Sequence, residues 1–352
     1  MSAVALAKEG IFRVARGTGA MSLVRRSAWR RRRLLILCYH GVSIDDEHDW
    51  NPLLYMRPER FRQRLRALAR ENDVLPLSEG LRRLRDGTLP RAAVSITVDD
   101  GAYDFLARAW PVLEEFALPV TVYQTTYYSE DNRPVFDPFV SYLLWKGRNR
   151  QVQFHGLLPG GGVRDLASAQ VRATLFAQVL AFARAEGLDA DGKDALLAAL
   201  AGRIGVDLAA LRARRILHLL TPGEIAWLAA RGVDFQLHTH RHRTPDGAGD
   251  FAREIRDNRV RIEALTHRPA THFCYPSGVY RRQFLEWLAA SDVESATTCD
   301  PGLASAASAP LLLPRLVDTE GVSDLAFEAW TSGLAGLLPR RTRFGDGANQ
   351  GE

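Results

Sequence analysis

Short apolar runs alternate with amphipathic stretches along most of the 352-residue chain. "LLILCYH" (34–40), "AAVSITVDDG" (92–101), "LPVTVYQTT" (118–126), "VDFQLHTH" (233–240) and "ATHFCYPSG" (270–278) are short and rich in β-branched and aromatic residues, which predicts buried strands. "DVLPL" (73–77) predicts a further short strand. The segments between them follow a helical period. In "RPERFRQRLRALAR" (57–70) the apolar residues Phe61, Leu65 and Leu68 recur on one face, with Pro58 near the start. "SEGLRRLRDG" predicts a helix stopped by Gly87, and 103–117 a helix with a kink at Pro111. "TPGEIAWLAARG" (221–232) opens with Thr221 as N-cap, Pro222 at the first helical position and Glu224 as capping-box partner. Helices over 250–266 and 279–291 follow, and "VESATTCDPG" and "PLLLPRLVD" read as the last strands. Strand–helix alternation over seven or eight units predicts a parallel α/β barrel.

The alternation pauses over residues 137–220, which are Ala/Leu/Arg-rich and broken by "GLLPGGG" (156–162). They read as a helical insertion. The expected organisation is a basic N-terminal segment (1–33), a barrel (34–335) carrying that insertion, and a disordered tail (336–352).

Charge changes this picture at one end only. Residues 1–33 hold nine Lys and Arg against Glu9 alone, a net +8, so the remainder carries −3 of a chain total of +5. The body of the fold is therefore not basic, which argues against a nucleic-acid-binding protein. The N-terminal arginines are interleaved with Ile11, Phe12, Val14, Leu23, Val24 and Trp29, a pattern suited to peripheral contact with anionic lipid; a solvated basic helix is the plainer reading. Charges interrupt any secretory signal, although an Arg-rich, acid-poor start also suits an organelle transit peptide. No apolar run reaches 18 residues, so no membrane span is expected. Cys38, Cys274 and Cys299 form no close pair and are expected to be free thiols of a reducing compartment. The expected location is the cytoplasm, with peripheral attachment to the inner face of the membrane as the alternative. Oligomeric state is not legible.

Polar residues gather where strands end: His40, Asp99–Asp100, the run His238–Thr239–His240–Arg241–His242, and Tyr275–Pro276–Ser277–Gly278. In a parallel barrel these ends converge on one face. One carboxylate and two neutral imidazoles can hold a divalent ion with a position left open, and a second carboxylate beside it can act as a base. Asp99 and Asp100 are adjacent, so one can take each role. His238 and His242 are four apart, as on one helical turn, whereas on an extended segment His238 and His240 would share a face. Each motif alone is commonly a turn or a structural histidine; the set is more specific.

"SITVDDG", "LHTHRH" and "FCYPSG" resemble the first three motifs of the polysaccharide deacetylase family, the NodB-homology or carbohydrate esterase family 4, in the expected order over about 34–318. The resemblance implies a distorted parallel (β/α)7–8 barrel with a helical insertion. It implies Asp99 as general base and Asp100, His238 and His242 as ligands of one divalent ion, zinc first, with cobalt, nickel or manganese as alternatives. It also implies an oxyanion-binding backbone N–H near Ser277 and a buttressing role for Thr239, and leaves His240 outside the metal shell. Two features depart from the family: its third-motif arginine falls at Cys274, and "LPRL" stands where a late Leu-x-His motif supplies an acid. "LCYHGV" resembles the first-strand segment of members that deacetylate poly-N-acetylglucosamine, which implies His40 as general acid, and Arg315 can replace the missing arginine beside Asp99. The whole resembles deacetylases of exopolysaccharide clusters. The function expected is metal-dependent removal of N-acetyl, less readily O-acetyl, groups from an amino sugar of a glycan or its lipid-linked precursor. The rivals are hydrolysis of a small non-sugar amide on the same barrel and a non-catalytic glycan-binding scaffold.

Overall fold

The computed structural model describes residues 3–338, with side chains from residue 7 onward. The tail expected to be disordered falls almost wholly at 339–352, outside the described residues.

Seven parallel strands form a curled α/β sheet. The first, Arg33–Tyr39, pairs with the second, Val94–Val98, and then come Val120–Gln124, Asp234–Leu237, His272–Cys274 and Ser295–Thr297. The last, Leu316–Val317, returns beside Leu37 and Cys38 of the first. Just before it, Leu313 bridges Thr297, so the segment 313–317 joins the two ends of the sheet into a distorted barrel. The short Ala304–Ser305 strand adds an antiparallel edge to Arg33 and Leu34. Between residues 73 and 77 there is only a single bridge, Val74 to Val94, instead of the short strand that the apolar run suggested.

The first strand is buried on both faces, as parallel strands are. Leu35, Leu37 and Tyr39 lie in the larger core with Phe61, Leu65 and Leu68 of the helix Pro58–Glu71. Leu34 and Ile36 belong to a second cluster with Tyr123 and Cys274. The capping box of Thr221 and Glu224 is formed, and Gly87 ends its helix at φ 68°. At Pro111 the chain makes a π-turn over Phe105–Ala109 before the α-helix Trp110–Glu115, because proline has no N–H to return to the preceding turn.

Residues 136–217 build an apolar cluster of their own. Phe139, Val140 and Leu143 of the helix Phe136–Lys146 meet Leu175 and Val179 of Ala169–Ala185 and Leu197, Leu200 and Ile204 of Ala190–Ile204. The N-terminal helices Ala3–Gly17 and Ala20–Arg26 lie on the helix Asp324–Ser332, burying Phe12, Ala15 and Met21 against Ala329 and Ala335. Arg30 is fully buried and donates to the carbonyls of Arg33, Ala93 and Thr331. Part of the basic segment is thus built into the fold, while Ile11, Val14 and Leu23 stay exposed.

Candidate metal and acid–base site

Asp100 follows the second strand in a left-handed conformation, φ 70°, and Gly101 repeats it at φ 72°. A side chain at Gly101 would collide with the amide of Gln124, so the DDG turn requires glycine there. His238 follows the strand Asp234–Leu237. The spacing of His238 and His242 suggested a helical turn, but the segment is a loop of bends with positive φ at Thr239 (60°) and His242 (53°). Backbone strain of about 1–3 kcal/mol per such residue is characteristic of sites whose surroundings over-determine them. Here the surroundings are identifiable. Thr239 Oγ1 accepts from Arg243 N at 3.0 Å. Glu254, buried on the helix Ala248–Thr266, accepts from Arg241 N at 2.8 Å and Arg243 Nε at 2.9 Å. One turn further on, Asn258 accepts from His238 N at 2.9 Å and donates to Gln124 O and Thr126 Oγ1.

This clamp brings Asp100, His238 and His242 together. Nε2 of each histidine lies 3.2 Å from Asp100 Oδ1. His238 Nδ1 is 2.9 Å from the Cys274 carbonyl, which can only accept, so Nδ1 carries a proton and Nε2 is the ring atom directed at the carboxylate. Two imidazole nitrogens and a carboxylate oxygen converging in this way suit a divalent cation, which would take the Nε2 lone pairs in place of protons. Zinc bonds of about 2.0–2.1 Å in a tetrahedron separate neighbouring donors by about 3.3 Å, close to the spacing found. The residues present therefore fit a divalent ion. Burial by itself would raise the Asp100 carboxyl, but the imidazoles of His242 and His238 outweigh it and hold it well below the carboxylate range. Burial likewise works against a charged His242, and Asp100 lifts it above the ordinary histidine value. His240 stands outside the triad: its Nδ1 is 2.9 Å from Thr126 Oγ1, and Tyr127 sits edge-on to its ring.

Asp99 points into the barrel beside this triad. Arg315, fully buried on the last segment, grips it with two contacts, Nη1 to Oδ1 at 2.8 Å and Nη2 to Oδ2 at 2.5 Å. Arg315 also donates through Nε to Thr298 O at 2.8 Å and through Nη2 to Cys274 Sγ at 2.9 Å. Burial would raise Asp99, but the guanidinium overrides it and keeps the carboxyl far below its usual value. The thiols of Cys38 and Cys274 lie 3.5 and 3.4 Å from Asp99 Oδ2. Burial pushes both thiols well up, so they stay protonated and can donate. All three cysteines are free; Cys38 and Cys274 are buried and Cys299 partly so. His40 ends the first strand with Nε2 at 3.6 Å from Asp99 Oδ2. Burial lowers its pKa, partly offset by Asp99 and Asp100. Ser277 is exposed in a tight turn, φ 56°, directly after the strand whose Cys274 carbonyl holds His238.

The structure thus brings Asp99, Asp100, His238, His242, His40 and Arg315 into one cluster and places Ser277 at the same end of the barrel. Sequence reasoning missed Glu254, Asn258 and the two thiols beside Asp99. A signal for the first two was present. Glu254 and Asn258 fall on the stripe of Phe251, Ile255 and Ile262, which is buried throughout, and polar residues on an apolar stripe have to find partners there.

Fold and site together define an α/β barrel with a carboxylate–imidazole triad beside a buried carboxylate–guanidinium pair. A polysaccharide deacetylase family model matches residues 163–296, which hold His238, His242 and Ser277; His40, Asp99, Asp100 and Arg315 lie outside the match. A comparison with curated proteins finds no match. The fold is that of solved deacetylase structures. The deacetylase PplD from Streptococcus pyogenes, in complex with acetate, is 19% identical at a TM-score of 0.56, covering 87% of this chain and 99% of its own. IcaB from Ammonifex degensii is 16% identical at 0.55, covering 85% and 97%. A de-N-acetylase from Aggregatibacter actinomycetemcomitans is 11% identical at 0.52, covering 85% and 99%.

Proposed function

We propose that this chain is a metal-dependent deacetylase that hydrolyses N-acetyl groups on an amino sugar of a glycan or its lipid-linked precursor. The observation that carries the reading is the convergence of Asp100, His238 and His242 beside the buried Asp99–Arg315 pair at one end of the barrel. The family match over 163–296 and the de-N-acetylase among the structural relatives support the substrate class. Asp100, His238 and His242 would hold a divalent ion, zinc in the first instance, which would supply Lewis acidity toward the acetyl carbonyl and water.

The chain's own groups do the rest. Asp99, fixed in orientation by Arg315, takes the proton of the attacking water. Departure of the amine needs a proton, because an amide anion is too poor a leaving group. His40, whose Nε2 lies 3.6 Å from Asp99 Oδ2, delivers it in this reading. The backbone N–H of Ser277 serves the developing oxyanion. Glu254 and Asn258 keep the histidine loop in its strained form, so the triad does not have to be assembled when substrate arrives.

Acetate release from chitooligosaccharides with added zinc or cobalt tests the reading. Asp99→Asn is expected to lose about 10²–10⁴-fold in turnover while retaining metal. His40→Ala is expected to lose amide turnover and keep much of its activity on an acetate ester of an activated phenol, which leaves without a proton. A wild type that binds the oligosaccharide and releases no acetate refutes the enzymatic reading in favour of a scaffold.

The same reading places the chain on the cytoplasmic face of a membrane. Ile11, Val14 and Leu23 are 47, 67 and 72% exposed on N-terminal helices that also expose Arg13, Arg16 and Arg26, which supports peripheral contact with anionic lipid. No helix among the described residues is long and apolar enough to cross a membrane.

A further inference from the structure

We propose that the segment 136–217 carries a binding site for a second sugar ring of the same glycan, an inference that rests on the deacetylase reading above. A cavity of about 290 Å³ opens between the helices Phe136–Lys146 and Ala169–Ala185, walled by Trp50, Trp145 and Phe176, with Ser141 and Arg172 in its lining. Its volume sits at the lower end of small-molecule pockets, enough for one ring and too little for an extended chain.

The walls are held in place before any ligand arrives. Trp145 is stacked on Tyr142 at 5.9 Å and 17°, and Arg148 lies 3.7 Å over its ring. Trp50 meets Tyr142 edge-on at 5.4 Å, and its Nε1 donates to Ser141 Oγ at 3.3 Å. Arg172 is anchored through Nη1 to the carbonyl of Ala167 and to that of Leu166. The aromatic walls of Trp50 and Phe176 suit the C–H faces of a pyranose, and the Ser141 hydroxyl and Arg172 guanidinium suit its hydroxyl or acetamido oxygens. A hydrocarbon chain would desolvate both polar groups without returning a hydrogen bond.

The cavity wall is tied to the proposed acid through Tyr55. Trp50 lies 5.8 Å from Tyr55. The Tyr55 ring occupies the space that a side chain on Gly41 would need, and Gly41 follows His40. The strand Tyr55–Met56 is also paired to Gly41–Val42, so the wall and the acid are fixed to the same short sheet. A glycan long enough to reach both can therefore hold one ring against Trp50 while it presents another to His40 and Asp99.

The test uses the full chain loaded with zinc, and N-acetylglucosamine and its β-linked pentamer as probes. Binding is read by calorimetry and by tryptophan fluorescence, and turnover by acetate release. The variants are Phe176→Ala, which removes a wall, and Ala173→Trp, which fills the cavity from an exposed helix position without touching the core. For the pentamer, each is expected to raise Kd and KM about tenfold with kcat kept, while monomer kinetics stay unchanged. Equal effects on monomer and pentamer, or none on either, overturn the subsite even if acetate is released. Failure of the wild type to bind the pentamer at millimolar concentration overturns it as well. If the wild type binds the pentamer, the variants do not, and no acetate appears, the subsite stands and the deacetylase reading falls.

Discussion

Replacing Arg315 with methionine isolates the energetics of the buried pair. The guanidinium is fully buried and makes two charge-assisted hydrogen bonds to Asp99, at 2.8 and 2.5 Å, and one to Thr298 O at 2.8 Å. Its removal leaves the Asp99 carboxylate in the barrel interior with the weak thiol donors of Cys38 and Cys274 and the neighbouring His40. Stranding one member of such a pair costs about 3–5 kcal/mol. Adding Asp99→Leu removes the stranded charge. What then remains is mainly an unpaired Thr298 carbonyl, about 1–3 kcal/mol. The double variant is therefore expected to be more stable than Arg315→Met by about 2 kcal/mol, so the two effects are strongly non-additive. Equilibrium urea unfolding of the wild type, both single variants and the double variant measures this directly. A cost under about 1 kcal/mol for Arg315→Met, or a double variant destabilised by the sum of the singles, would refute the reasoning.

Bound zinc measured in purified variants should fall with His238→Ala and persist with His240→Ala, because only the former faces Asp100; the opposite result would reassign the ligands. Asp318 is buried 3.2 Å from Arg64 Nε, and burial pushes its pKa up to about 6 from 3.8. The folded state thus binds this proton more tightly than the unfolded one. Its contribution is full below about pH 4 and is lost as pH rises to about 6, a change on the order of 3 kcal/mol. Asp318→Asn should remove that slope from urea-derived stability between pH 4 and 7, and an unchanged slope would exclude Asp318 as its source. Ile11→Ser/Val14→Ser/Leu23→Ser should reduce co-sedimentation of the full chain with anionic liposomes at low salt. Equal sedimentation would count against lipid contact. Truncation at Leu34 is unsuitable, since it removes the buried Arg30 together with the packing of Phe12 and Met21.

The barrel could be read from the sequence because each strand is a short apolar run with a helix after it, and because the polar clusters fall at strand ends. The pairing of His238 with His242 could be read as a spacing, but the reason for the spacing could not. It is a loop bent by left-handed residues and clamped by Glu254, and backbone shape of this kind leaves little trace in composition. Arg30 illustrates the opposite difficulty. In the sequence it is one of a run of surface-like arginines, and in the structure it is a fully buried donor to three carbonyls. Nothing local distinguishes it from Arg31 or Arg32, since the difference lies in Ala93 and Thr331, far away along the chain.

The pair Asp99–Arg315 spans 216 residues of chain. A polypeptide emerging from the ribosome holds the second strand and its two aspartates long before the residue that neutralises one of them exists. Until residues 313–317 arrive, the sheet has two open ends and Asp99 has no cation to match its charge. Closing the barrel and neutralising Asp99 depend on the same few residues. Loop-closure entropy grows only slowly with length, so the long separation adds little to the equilibrium cost, but contacts this distant form slowly. An incomplete chain therefore lacks both the closed sheet and the cation that neutralises Asp99 until synthesis is nearly finished.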